Sequence, residues 1–223
     1  MPDKTSNIAD IRRDKRAVRR NLAQDLRANY SRKAALFADK FIEQLLKIRP
    51  NPISVGIFLS LPEEIDTSFL LEKLRARNVE IFLPAVIDKN SPLAWRKFDA
   101  PCEFEQDAMK IPTPCGKNHP LPDLVFAPLT VFDETGTRIG MGGGFYDRSF
   151  ALYTQNNCQN RKNNSPKFST VDDIFYNYLA NLPQKIFCGY AYSFQKENSP
   201  LPRQNWDIPL DCLITEKEIY IFE

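Results

Sequence analysis

The short, continuous apolar runs "ISVGIFLS" at 53–60 and "DLVFAPL" at 123–129 constrain this chain most. A strand with one face in water alternates apolar and polar residues. Runs of this kind belong to strands covered on both faces, as in parallel sheets. Further strand candidates are "VEIFLPAV" (79–86), "LAWRKF" (93–98) and "KIFCGYAY" (185–192), and "DCLIT" (211–215) with "EIYIF" (218–222) reads as a closing hairpin. Helical segments come between them. Residues 10–29 place Val18, Leu22 and Leu26 at four-residue intervals on an otherwise basic helix that carries Arg12, Arg13, Lys15, Arg16, Arg19, Arg20 and Arg27. A second helix is expected from Ser31 as N-cap to about Lys47, with Phe37, Phe41, Leu45 and Leu46 on one side. "TSFLLEKLRARN" (67–78) has Thr67 as a cap and Asn78 as a stop, and further helices are expected from about Gly144 to Tyr153 and over 171–182. This alternation predicts an α/β fold. Its central sheet is largely parallel and flanked by helices, a Rossmann-like open sheet in one domain over residues 1–223. Two segments are expected to lie outside that scheme: a proline-rich connector through Pro112, Pro114, Pro120 and Pro122, and a polar, Asn-rich surface loop or insertion at 154–170.

Composition narrows the chemistry. The five cysteines (Cys102, Cys115, Cys158, Cys188, Cys212) are scattered and form no C-x-x-C pair, which argues against a structural zinc site and for reduced thiols in a cytoplasm. His119 is the only histidine, so chemistry built on a histidine triad or a His-rich metal centre is nearly excluded. No window approaches the ~18 consecutive apolar residues of a membrane span, and the polar start "MPDKTSNIADIRRDKR" has no signal-peptide core. A net charge of +2 makes no global case for nucleic acid.

The densest stretch is "TRIGMGGGFYDR", 137–148. The chain has eight glycines, and five of them (Gly136, Gly140, Gly142, Gly143, Gly144) fall within nine residues, so a demand on the backbone is concentrated here. Glycines let successive N–H groups converge on one space, and a loop between a strand and a helix that is built this way can cradle an anion. Arg138 adds a fork of donors suited to phosphate oxygens. The pattern is neither G-x-x-x-x-G-K-[ST] nor G-x-G-x-x-G.

At "VFDETGTRIGMGGGFYDR" (131–148) the chain resembles the 5-formyltetrahydrofolate cyclo-ligases, or 5,10-methenyltetrahydrofolate synthetases, of the bacterial type. Three further segments carry the resemblance: "KRAVR" (15–19), "IFLSLPEEIDT" (57–67) and "NWDIPLDCLIT" (205–215). The resemblance implies ATP-dependent cyclisation of 5-formyltetrahydrofolate to 5,10-methenyltetrahydrofolate, with ADP and phosphate released, through a phosphorylated formyl oxygen. It implies that Lys15 and Arg19 meet the nucleotide phosphates and the substrate, and that Leu59 and Glu64 line the folate pocket. Arg138, Gly140, Met141, Gly142, Gly143 and Gly144 are implied to bind ATP, with Phe145 and Tyr146 meeting both ligands. Arg138 and Tyr146 would then be the catalytic side chains, and Asp147 and Asp207 the ligands of Mg²⁺. The partners implied are 5-formyltetrahydrofolate and ATP, for a cytoplasmic monomer with neither nucleic acid nor membrane. Some relatives carry a basic residue between the glycines, where this chain has Met141 and Gly143, and Arg148 is the nearest candidate to replace it. The 154–170 insertion has no counterpart in compact relatives.

Two other classes fit parts of the sequence. The basic first helix suits a non-catalytic nucleotide- or nucleic-acid-binding module, which would need neither Glu64 nor Asp207. An α/β sheet also suits a sugar-phosphate isomerase, by fold analogy alone.

Overall fold

In the computed structural model, residues 8–49, 53–77, 79–151, 153, 166–168 and 178–222 are described. Along the chain come α1 (Ile8–Arg20), α2 (Gln24–Ile48), β1 (Ser54–Gly56), α3 (Ser68–Ala76), β2 (Glu80–Ala85) and β3 (Ala94–Lys97). Next are β4 (Phe104–Gln106), β5 (Pro112–Pro114), β6 (Leu124–Ala127), β7 (Val131–Phe132), β8 (Arg138–Ile139) and α4 (Phe145–Phe150). The last elements are β9 (Lys167–Phe168), β10 (Ile186–Tyr190), a 3-10 turn at Ser193–Gln195, β11 (Cys212–Ile214) and β12 (Ile219–Ile221).

One eight-stranded sheet has the order β3-β2-β1-β6-β10-β11-β12-β9. Its central strands, from β2 through β11, pair in parallel, and β3, β12 and β9 add antiparallel edges. The apolar runs behave as strands buried on both faces. In β6, Leu124 and Phe126 enter the core under α2 and α3, while Val125 and Ala127 enter the opposite core with Trp95, Phe150 and Phe187. All four β6 residues are fully buried, which explains why no polar residue interrupts them. From β1 the chain turns to one side to make β2 and β3, then returns to place β6 on the other side. That reversal leaves a crevice beyond the C-terminal ends of β1 and β6, the usual ligand position in open α/β sheets.

Several sequence expectations need correction. The helix expected over 10–29 breaks after Arg20. Arg27 braces the break, its guanidinium donating to the carbonyls of Arg19 (3.0 Å) and Leu22 (3.3 Å), the first of which also accepts the Leu22 N–H (3.3 Å). Of the stripe Val18, Leu22 and Leu26, only Leu22 packs on the core; Val18 and Leu26 are exposed, while Arg19 is 1% exposed. Ser31 does not cap a helix. It lies inside α2, which starts at Gln24, and its hydroxyl accepts the Asp66 N–H at 2.9 Å. Thr67 is the residue before α3, but the first-turn acceptor is Asp66, whose carboxylate takes the Ser68 N–H at 2.9 Å. The proline-rich connector contains β5. Cys115 donates to Glu103, so the alternation of the ladder turns Pro112 and Pro114, which lack an N–H, to its unpaired side. The polar segment placed at 154–170 ends in β9, where Phe168 is buried against the sheet. Asn78, Cys158, residues 154–165 and most of the helix expected over 171–182 lie outside the described residues; 178–180 are helical.

Candidate active site

A cleft of about 340 Å³ opens at the reversal of the sheet. Pro128, Leu129 and Thr130, which follow β6, form its floor, and Glu64, which follows β1, closes one end. The glycine loop makes one wall and the segment Pro202–Asp207 the other.

The loop is held by a hairpin that the sequence reading did not contain. β7 and β8 pair through Val131 with Ile139 and Phe132 with Arg138. Asp133, 2% exposed, organises the turn between them. One of its carboxylate oxygens accepts the N–H groups of Thr135 (2.8 Å) and Thr137 (3.1 Å), and the other accepts Leu201 N–H (2.8 Å). Gly136 has φ +75°, and a Cβ there would come within 2.9 Å of the Leu210 carbonyl oxygen and the Phe222 ring, so the position takes only glycine. Gly144 leads into α4 at φ +63°, again in the left-handed region. Because α4 has six residues, the loop amides and nearby cations, rather than a long helix dipole, must supply any attraction for an anion.

Arg138 is fixed on three sides. Nη1 donates to the Ile208 carbonyl (2.6 Å), Nη2 donates to Asp147 (2.9 Å), and the guanidinium lies 4.4 Å from the Phe187 ring centroid. The same Asp147 oxygen accepts the Ile208 N–H at 3.0 Å, which ties the loop helix to the opposite wall. Arg148 turns away from the cleft. It donates to the carbonyls of Gly143 and Lys89, both at 2.9 Å, and of Ser91 at 3.2 Å, bracing the loop from behind.

The basic helix meets the site with its charged face. Arg12 Nε donates to the Gly140 carbonyl at 2.8 Å, and its guanidinium packs on Gly142. Arg12 lines the cleft, although the sequence showed it only as one cation in a run. Its position three residues before Lys15, on the same helix face, was the available signal. Lys15 Nζ donates to the carbonyls of Lys196 (2.8 Å) and Phe194 (3.3 Å) and lies 3.4 Å from the Glu197 carboxylate. Arg16 pairs with Glu63 at 2.9 Å. Arg19 donates to the Leu129 carbonyl at 3.1 Å, with Glu63 and Glu64 at 3.7 and 3.9 Å. Lys15 and Arg19 therefore stand behind the cleft rather than on its lining, and Leu59, 40% exposed, is also away from it.

At the closed end Glu64 is 7% exposed and accepts the Leu61 N–H at 3.0 Å. Burial raises its carboxyl above the usual range, and the Leu61 bond and the Arg19 charge only partly oppose this. Burial, and then the Glu64 charge, hold the Tyr146 phenol well above the ordinary tyrosine value. The Tyr146 ring stacks with Phe187 at 6.1 Å and an interplanar angle of 12°. Beside Glu64 a small void is lined by Arg19 and Tyr190, and Arg19 Nε and Nη2 and the Tyr190 hydroxyl are buried without a hydrogen-bond partner. These groups lie behind the cleft, and Arg19 Nη2 keeps only its ion pair with Glu63 at 3.7 Å.

Of the residues expected from sequence, the cleft brings together Glu64, Arg138, Gly140 through Gly144 with Met141, Phe145, Tyr146, Asp147 and Asp207. It adds Ile8, Arg12, Thr130, Gln204 and Trp206. Asp207 accepts the Gln204 N–H at 2.7 Å through one oxygen. Among the described residues no group of three or more His, Cys, Asp or Glu side chains gathers as a closed metal cage. Asp147 and Asp207 nevertheless suit Mg²⁺. They put two hard carboxylates on a cleft that is also lined by the glycine loop, and Mg²⁺ usually takes one or two carboxylates together with phosphate oxygens.

Comparison with known proteins agrees with this architecture. A solved 5,10-methenyltetrahydrofolate synthetase from Aquifex aeolicus superimposes with a TM-score of 0.67 at 24% identity, covering 96% of this chain and 92% of that one. One from Mycoplasma pneumoniae gives 0.64 at 19%, covering 95% and 99%. At such identities the likeness shows the fold. The 5-formyltetrahydrofolate cyclo-ligase of Escherichia coli K12 is 31% identical over 173 residues, 75% of this chain and 80% of that protein. That of Haemophilus influenzae is 30% identical over 218 residues, 94% and 98% respectively. The model of the 5-formyltetrahydrofolate cyclo-ligase family matches residues 9–185, a stretch that contains all but the first residue of α1, Glu64, the glycine loop and α4, and this chain belongs to that family.

Proposed function

We propose that the cleft under the glycine loop is where this chain carries out the reaction of its family, the ATP-dependent cyclo-ligation of 5-formyltetrahydrofolate. The observation that carries this reading is the cleft's paired chemistry. The one cleft joins the glycine loop, Arg12, Arg138, Asp147 and Asp207, suited to polyphosphate, with buried Glu64 and Tyr146, suited to a polar ring edge.

A formamide carbonyl is a weak electrophile, and its oxygen leaves poorly. In the proposed sequence the formyl oxygen attacks the γ-phosphorus of ATP and ADP departs. N10 of the same folate then attacks the activated carbon, and the C–O bond breaks as phosphate leaves. The protein need supply no nucleophile, which suits a cleft without histidine or cysteine. Phosphoryl transfer depends mainly on positioning and on stabilising charge. Arg138 is suited to this because its two bonds and the Phe187 ring fix it before substrate arrives, with two of its five donors in use. Mg²⁺ held by Asp147 and Asp207 would neutralise phosphate charge. The Glu64 carboxylate would accept N–H donors from the pterin edge. N10 is tethered close to its target, and such intramolecular attack reaches effective molarities on the order of 10⁵ M or more. The same reading makes the protein a monomer, and a cytoplasmic one without nucleic acid, the last two in line with its scattered cysteines and net charge of +2. Among the described residues no helix is long and apolar enough to cross a membrane.

The test is the absorbance of methenyltetrahydrofolate on mixing protein, 5-formyltetrahydrofolate and Mg-ATP, for wild type and Glu64→Gln. Wild type forms product only with ATP, and Glu64→Gln raises KM for the folate while ATP affinity holds. Folate binding by wild type weakens as pH falls through the raised Glu64 value, because protonation removes the acceptor. In Glu64→Gln that slope is absent. Stability runs the other way: a carboxyl raised by folding contributes fully below about 4.5, and the contribution is lost as pH rises through the folded value. Product formed without ATP would end the reading.

A further inference from the structure

Trp206 and Met141, at 71% and 57% exposure, are the two most exposed large apolar side chains among the described residues. Both line the cleft. They reach it from separate segments, Met141 from the glycine loop and Trp206 from the turn that carries Asp207. That turn is fixed by two hydrogen bonds: Asp207 N–H donates to the Gln204 carbonyl at 3.1 Å, and Gln204 N–H donates to the Asp207 carboxylate at 2.7 Å. Among the described residues no ring or cation packs on the Trp206 indole. The other tryptophan, Trp95, is 1% exposed in the core. A fold that buries one indole and leaves the other open on a ligand cleft has a flat apolar surface ready for a flat partner.

Two ring systems enter the proposed site, the pterin of the folate and the adenine of ATP. Glu64 and Tyr146 supply polar partners at the buried end, where the pterin edge can use them. Trp206 and Met141 offer little hydrogen bonding and neighbour the groups read as meeting phosphate, one beside Asp207 and the other among the loop glycines. The ring joined to the phosphates is adenine. From these positions, and resting on the site reading above, we infer that Trp206 is the platform on which the adenine of ATP stacks, with the Met141 thioether packing against the base. The contact reads the π-face of the base and not its edge. It therefore sets affinity for the nucleotide and leaves the chemical step untouched.

The two tryptophans make the test direct. Emission of wild type and of Trp206→Phe is followed on addition of Mg-ADP or of Mg-tripolyphosphate, which carries phosphates without a base. Mg-ADP changes wild-type emission and leaves Trp206→Phe, which reports Trp95 alone, unchanged. Tripolyphosphate has little effect on either. In the coupled assay Trp206→Ala raises KM for ATP on the order of tenfold, leaves kcat and the KM for 5-formyltetrahydrofolate unchanged, and Trp206→Phe restores most of the loss. The inference is overturned by wild-type emission indifferent to ADP, by tripolyphosphate acting as strongly as ADP, or by a rise confined to the folate KM. Wild type that makes no methenyl product overturns the site reading itself, whereas product with an unmoved ATP KM in Trp206→Ala overturns only the stacking.

Discussion

Removing the charge of Asp147 while keeping its shape separates two demands on that side chain. Its carboxylate holds Arg138 and the Ile208 N–H, and in the proposed site it also faces Mg²⁺. Asp147→Asn keeps an acceptor for Ile208 and weakens the bond to Arg138. The expected cost is about 1–3 kcal/mol, measured by urea unfolding, with the fold retained. The Mg²⁺ concentration needed for half-maximal rate rises at the same time. Coincident Mg²⁺ titrations for the two proteins would leave Asp147 a purely structural tie. The loop that presents this residue was readable in advance because a glycine cluster is rare and has a backbone meaning. Arg19 was readable as a charge but not as a buried one, since arginine is almost never fully buried unless paired, and its pairing spans 110 residues to the Leu129 carbonyl. Trp206 gave no sign at all, because a linear sequence does not tell an exposed indole from a core one.

As an element, α1 is held by a small apolar contact at its start and by cations along the rest of its length. Ile8 and Ile11 pack beside Val131, Ile139 and Leu201, but Arg12, Lys15, Arg16 and Arg19 make the long-range bonds. This is why a reading based on apolar periodicity missed the buried face: Val18 and Leu26 fall on separate helices, and the carbonyls and carboxylates that Arg19 and its neighbours meet are invisible in sequence. Lys15→Met keeps the stem and loses the donors to Phe194 and Lys196. Amide exchange within α1 accelerates, by about tenfold or more for the loss of charged hydrogen bonds, while β6 and β10 keep their protection. Acceleration spread equally over the sheet would show that α1 does not open on its own. The apolar side of α2 was easier to read, since Phe41 and Leu45 are buried as their spacing indicates.

For the whole molecule, the sheet's parallel centre was legible because strands covered on both faces must be continuously apolar. Of its antiparallel margins, β3 and the β11–β12 hairpin were legible; β9 was not, nor was the separate β7–β8 hairpin, because these strands are two residues each and hydrophobic periodicity needs a longer window. The margin at β9 matters for stability. It covers the outer edge of β12, and Phe168 is 9% exposed. Replacing residues 154–165 by a Gly/Ser linker of equal length leaves stability and turnover near wild type. Extending the replacement through Phe168 costs about 3 kcal/mol and promotes association through the uncovered strand, seen by urea unfolding and light scattering. Equal stability of the two variants would show that β9 contributes nothing to the edge. The docking of α1 also bears on how the protein is made. The carbonyls that receive Lys15 lie 179 and 181 residues further along the chain. At about 5–20 residues per second, a ribosome leaves the first helix without its seat for roughly 10–40 seconds. A nascent helix that displayed an apolar docking face for so long would invite capture by other chains. One that docks through arginine and lysine stays well hydrated until the segment carrying Phe194 and Lys196 emerges, and only then can the cleft that α1 borders take its final form.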